Sequence, residues 1–139
     1  MKIKEIVIMG GSGFGPENEA YEDTLTLTES SLCYEYKPFL EENKSNHIYK
    51  KWSYKTTNSS FKKVFQDICD MTPKYLNNND DLTNDEDGSP TSIIVKFDDK
   101  HREVGSYFCS RKYFDDYFKL FKDLVPATER IPAVLSTDE

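Results

Sequence analysis

Seven residues near the start of the chain, Gly10-Gly11-Ser12-Gly13-Phe14-Gly15-Pro16, have the composition of loops that cradle phosphate. A dinucleotide fingerprint needs glycines at i, i+2 and i+5 leading into a helix, for a tight turn and close backbone approach to pyrophosphate. Counting from Gly10 puts Ser12 at the second position, and counting from Gly11 puts Pro16 at the third. A P-loop closes on Gly-Lys-Ser/Thr, whereas Gly15 leads into Pro16-Glu17. A nucleophile elbow needs glycine two residues after its serine, where Phe14 stands. The residues that follow are acidic and strand-like, so no helix N-terminus awaits an anion. The segment reads as a turn.

Metal ligation and nucleophilic catalysis find equally little. The two histidines, His47 and His101, stand apart, and no His-x-x-His or Cys-x-x-Cys pair presets two zinc ligands on one turn. The acidic stretch ending at Gly88 fits a calcium loop at Asp85 and Asp87. It puts Thr83 where the first Asp belongs and Ile94 where the bidentate Glu belongs. Cys33 and Cys109 fall in strand patterns and Cys69 on a helix face, the places of small buried hydrophobes. Paired carboxylates abound, but in so acidic a chain their adjacency carries no information. No catalytic residue, metal site or cofactor is assigned.

One segment keeps binding chemistry: His47-Ile48-Tyr49-Lys50-Lys51-Trp52-Ser53-Tyr54-Lys55. Lys50, Lys51, Trp52, Tyr54 and Lys55 form the candidate binding set. Aromatics with cationic rims suit protein interfaces, and the same mixture can stack and neutralise single-stranded nucleic acid. The plainer alternative is a sheet strand whose Trp52 and Tyr54 pack under a helix while its lysines face water.

These residues must be positioned by elements that pattern and punctuation define. Ile3 to Met9 reads as a strand ended by the glycine-rich turn. Thr24 to Glu29 and Leu32 to Lys37 alternate strictly and form a hairpin about Ser30-Ser31, closed by Pro38. A fourth strand runs from about His47 to Thr56, with Ile48, Lys50, Trp52 and Tyr54 on one face. Asn58, Ser59 or Ser60 caps a helix from about Phe61 to Met71, whose Phe61, Val64, Phe65, Ile68 and Cys69 line a core stripe. Thr72-Pro73 stops it. Asn77 to Pro90 is polar and acidic and reads as a mobile loop. Thr91 to Phe97 and Arg102 to Cys109 form a second hairpin about Asp98-Asp99-Lys100-His101. Arg111 to Val125 is a helix with Phe114, Tyr117, Phe118, Phe121, Leu124 and Val125 on one face. The tail, with Ile131-Pro132-Ala133-Val134-Leu135, is extended and packs back. The order ββββαββα lacks the βαβ alternation of a parallel sheet, so the fold class is α+β: an antiparallel sheet of about six strands with two helices on one face.

Phe14-Gly15-Pro16, Tyr21, Leu25-Thr26-Leu27 and Tyr34-Glu35-Tyr36 together resemble the opening of a bacterial family of unknown function. That family begins with a strand, a Phe-Gly loop, a Tyr-x-Leu-Thr-Ile strand and a hairpin strand ending in Tyr. The likeness covers about residues 3–37. The two cysteines flanking the family's Phe-Gly are absent here, and extra residues precede Tyr21. It implies strands and no activity.

Composition sets the class of partner. The 139 residues suit a single domain. A net charge of -7 argues against a general binder of nucleic acid or anionic membrane. No apolar run approaches a membrane span or a signal-peptide core, and three scattered cysteines argue against a disulfide scaffold, which together imply a cytoplasmic protein. The charge is segregated. Residues 17–42 hold eight acids against Lys37, whereas residues 43–66 hold six lysines and no acid. The leading expectation is a non-enzymatic module that binds a protein partner. A small-ligand binder or enzyme with a pocket beside Gly10–Pro16 is the alternative, and a single-stranded nucleic-acid binder is third.

Overall fold

The computed structural model describes residues 2–11, 20–39, 48–76 and 89–136. Most of the glycine-rich turn, His47 and the acidic stretch 77–88 lie outside them, and with them the sequence readings made there. In β1 (Ile3–Gly11), alternate residues Ile6 and Ile8 are fully buried. In β2 (Tyr21–Thr28) the same is true of Leu25 and Leu27. The hairpin to β3 (Ser31–Pro38) is held at its turn by a 2.6 Å bond between the Thr28 and Ser31 hydroxyls. β4 (Lys50–Lys55) pairs with β3, while β5 (Ser89–Phe97) and β6 (Arg102–Cys109) form the second hairpin. The strands make one antiparallel sheet in the order β4-β3-β2-β1-β5-β6.

The helices cover one face of this sheet, as the alternation requires. Asn58 caps α1 (Ser59–Met71), its side-chain oxygen accepting the Ser60 N–H at 2.8 Å. Pro73 does not end the helical path outright. It opens a single further turn, α2 (Pro73–Leu76), because proline is compatible with a first helical position. The expected helix from Arg111 to Val125 divides into a 3-10 turn, Arg111–Phe114, and α3 (Asp115–Lys122). In the tighter turn residues three apart eclipse, and Arg111 and Phe114 are both buried. The core beneath is aromatic: Tyr75 stacks on Tyr117 at 4.5 Å, Phe114 stacks on Phe118 at 4.9 Å, and Phe121 meets Tyr117 edge-on. The tail returns to the sheet through a short turn, Ala133–Leu135, that buries Val134 and Leu135.

The opposite face carries a row of small and β-branched residues across all six strands: Val104, Ile94, Val7, Thr26, Cys33 and Ser53. Cys33 is therefore on the outer face and only half-buried, whereas Cys109 is in the core.

Candidate functional site

The registers of β2, β3 and β4 gather aromatic side chains on the helix-side face. Tyr34 lies opposite Trp52, and Tyr36 lies opposite Lys50 on one side and Asp23 on the other. Tyr21 stacks on Tyr36 with centroids 4.9 Å apart, and Tyr34 and Trp52 meet at 5.9 Å. The helices do not reach this corner. It opens instead as a groove of about 790 Å³ between these strands and the tail segment from Thr128 to Ala133. Tyr21, Tyr34, Tyr36 and Trp52 line it, and Lys50 and Arg130 give it a cationic rim that Glu129 also borders, while Tyr49 and Lys51 reach its edge but turn to the opposite face, beside Glu35. The Lys50 ammonium sits 5.8 Å from the Tyr36 ring centroid, within cation–π range. The Tyr49 hydroxyl donates to Glu35 at 2.5 Å and Lys37 pairs with the same carboxylate at 3.2 Å. These two partners hold the Glu35 carboxyl below its usual range.

The binding set read from the sequence is thereby divided. Lys50 and Trp52 share the groove, whereas Lys51 between them turns to the opposite face, opposite Glu35. Tyr54 lies over a second, smaller hollow of about 480 Å³, with Phe61, Val64 and Leu124. Lys55 borders the hairpin turn beside Ser30 and Ser31. Trp52 is half-buried and Tyr54 is 37% exposed, so neither is sealed under a helix. Tyr34 and Tyr36 were legible only as strand residues and Tyr21 lay outside the expected strand, since their meeting with Trp52 depends on register between distant segments. The tail wall had no sequence signal beyond being apolar.

Beneath the groove lies a buried polar cluster. Asp23 is 1% exposed, and its Oδ2 accepts the Tyr34 hydroxyl at 2.7 Å and the Val134 N–H at 2.8 Å. The Tyr34 oxygen in turn accepts the Ala133 N–H at 3.3 Å. Arg111 donates from Nη2 to the Gly11 carbonyl at 3.0 Å and from Nη1 to the Ala133 carbonyl at 3.2 Å. Burial pushes the Asp23 carboxyl above its ordinary range against the opposing pull of Tyr34, Val134 and Arg111. Burial and that carboxyl push Tyr34 up as well, so it stays a phenol donor. An acid with a perturbed pKa beside a tyrosine can mark a catalytic site. Here its partners are the Tyr34 hydroxyl of β3 and the Val134 N–H of the tail, and the arrangement is a clamp fixing the groove's wall.

Beside Gly10 and Gly11 the structure offers a hollow of about 270 Å³, bordered by Met9, Glu22 and Phe39. That is below the roughly 300–1,000 Å³ of small-molecule sites. Among the described residues no three His, Cys, Asp or Glu side chains are grouped to hold a metal ion. His101 bonds instead to Asp99 in its own turn, which raises the His101 pKa. No described helix is long and apolar enough to cross a membrane. No protein-family model matches the chain, and no curated protein matches it.

Proposed function

We propose that this protein is a non-enzymatic binding module that takes a segment of a protein partner into the groove between β4 and the tail. The carrying observation is the groove itself: four aromatic side chains, Tyr21, Tyr34, Tyr36 and Trp52, with the cations Lys50 and Arg130, on a chain whose net charge is -7. Tyrosine and tryptophan supply large contact area at small entropic cost, and a polar rim excludes water around them. The cations select an acidic segment and steer its approach. Cys33 and Cys69 are free thiols, which supports a reducing, cytoplasmic setting.

Selection of displayed random peptides, followed by calorimetry on the winners, tests this reading. Winners should carry acidic and apolar residues together, and the pair Lys50→Glu/Lys51→Glu should weaken them by about tenfold or more. Unchanged affinity in that variant, with folding intact by circular dichroism, overturns the groove as the site. Tighter binding of a single-stranded oligonucleotide, with steep salt dependence, moves the groove to nucleic acid instead.

A further inference from the structure

The edge of the sheet next to the groove has a geometry that the groove alone does not explain. β4 is a terminal strand, paired with β3 and with no other described strand. Alternate residues of a strand point their main-chain N–H and C=O groups to opposite edges, so half of β4's pairs face away from β3. The side chains on its helix-side face are only partly covered: Tyr54 meets Phe61 of α1 with ring centroids 6.1 Å apart yet stays 37% exposed, and Trp52 is half-buried. Trp52 stands over the groove of about 790 Å³, and Tyr54 over the hollow of about 480 Å³. Two residues apart on one face, these side chains are roughly 7 Å from each other along the strand. Thr128 of the tail borders both hollows, so they lie in line along β4.

The other edge of the sheet differs. Over β6 the Tyr75 carbonyl of α2 sits so close to Gly105 that a methyl there would overlap it, and Tyr107 donates to that carbonyl at 2.5 Å. That face is filled by α2 at this point.

We infer that a partner segment binds by adding a seventh strand to the outer edge of β4, its alternate apolar side chains entering the two hollows and its intervening residues acidic. Main-chain pairing supplies affinity in this mode, and pockets at a two-residue spacing supply specificity. The acidic character follows from charge complementarity. Lys51 and Lys55 stand on the face of β4 that the intervening residues share, and Lys50 and Arg130 border the groove itself. Lysines along an edge repel an identical edge, since like charges directly opposite are unfavourable, so a second copy of this chain is disfavoured there. The inference rests on the proposed groove function and adds the conformation, spacing and charge of what is bound.

Trp52 is the only tryptophan, so its emission reports directly on occupancy. The probe is a capped synthetic peptide alternating Glu with Leu or Phe. It is compared with a shuffled peptide of the same composition whose apolar residues are contiguous, and with one carrying Lys for Glu. Two further versions are N-methylated at alternate amides, one at the odd and one at the even positions. The alternating acidic peptide should shift the Trp52 emission saturably, and the shuffled and Lys peptides should bind about tenfold more weakly or worse. One N-methylated version should lose binding by a similar factor and the other should keep it, because only one set of amides faces β4. Equal tolerance of both N-methylated versions, or equal binding of the shuffled peptide, overturns strand addition while leaving the groove as a peptide site. Failure of every peptide, displayed winners included, to move Trp52 overturns the groove reading with it. Lys50→Glu/Lys51→Glu should restore binding of the Lys peptide, and its failure to do so overturns the charge assignment alone.

Discussion

Asp23 precedes Thr24-Leu25-Thr26-Leu27, and in a strand it shares a face with the two leucines. Its carboxyl thus faces the covered side of the sheet, although its neighbourhood in sequence is a run of acids. The tail brings the Val134 N–H to it, and β3 brings the Tyr34 hydroxyl. Asp23→Ala leaves both donors buried without an acceptor and should cost about 3 kcal/mol in urea unfolding. Asp23→Asn keeps an acceptor oxygen and should cost less. It also removes a titration whose sign is fixed by burial, which raises the Asp23 pKa above its ordinary value of 3.8. The folded protein therefore holds this proton more tightly than the unfolded chain does. Its contribution to stability is fully present below pH 3.8 and is lost as pH climbs to the folded-state value. The stability of the wild type relative to Asp23→Asn should fall across that window and then level off. A relative stability that rises with pH there contradicts the assignment. Arg111, buried in the same clamp, had its own signal: it is one of only three arginines in a lysine-rich chain. A planar donor that reaches two carbonyls is the kind of task lysine performs poorly.

Strands and helices were legible where a residue's neighbours in sequence also decide its environment. The alternation of Thr24 to Lys37 and the stripe of Phe61, Phe65 and Ile68 are of this kind, and the six-stranded antiparallel sheet covered by helices follows from them. Ends were not legible, because pairing across the sheet sets them. β2 begins at Tyr21 since Tyr21 and Glu22 pair with Pro38 and Lys37, a contact invisible from either segment alone. The groove was half legible for the same reason. Lys50 and Trp52 announce themselves in one strand, while Tyr21, Tyr36 and the tail join them only through the fold. At the turn between β5 and β6 the local residue works against the structure. Lys100 has φ 74°, in the left-handed region where a side chain crowds the following carbonyl. Lys100→Gly should stabilise the protein by up to about 1 kcal/mol, read as a higher urea midpoint at unchanged slope. A lower midpoint would mean that the lysine side chain contributes more there than its backbone strain costs.

The whole molecule depends on its tail in a way that links stability to the groove. Residues Thr128 to Ala133 form one wall, and Val134 anchors that wall by lying directly against the β1 backbone. Contact this close exists because position 10 is glycine: a Cβ there would lie 2.5 Å from Val134 Cγ2. Gly10→Ala should therefore cost about 1–3 kcal/mol through overpacking and lift the tail. Trypsin cleavage after Arg130 should then quicken, and peptide affinity for the groove should weaken. Val134→Ala removes the offending methyl and, alone, loses about 1 kcal/mol or more through the space it leaves. In the double variant the methyl added by Gly10→Ala enters that space. The two losses should then sum to less than their separate values, a coupling that contacting residues show and distant ones do not. Strict additivity would mean that the sheet, and not the tail, absorbs the extra methyl. Restored trypsin resistance at Arg130 and restored peptide binding in the double variant would instead identify the tail as the element that yields. The groove's shape would then be set from a position on β1 that does not touch the groove.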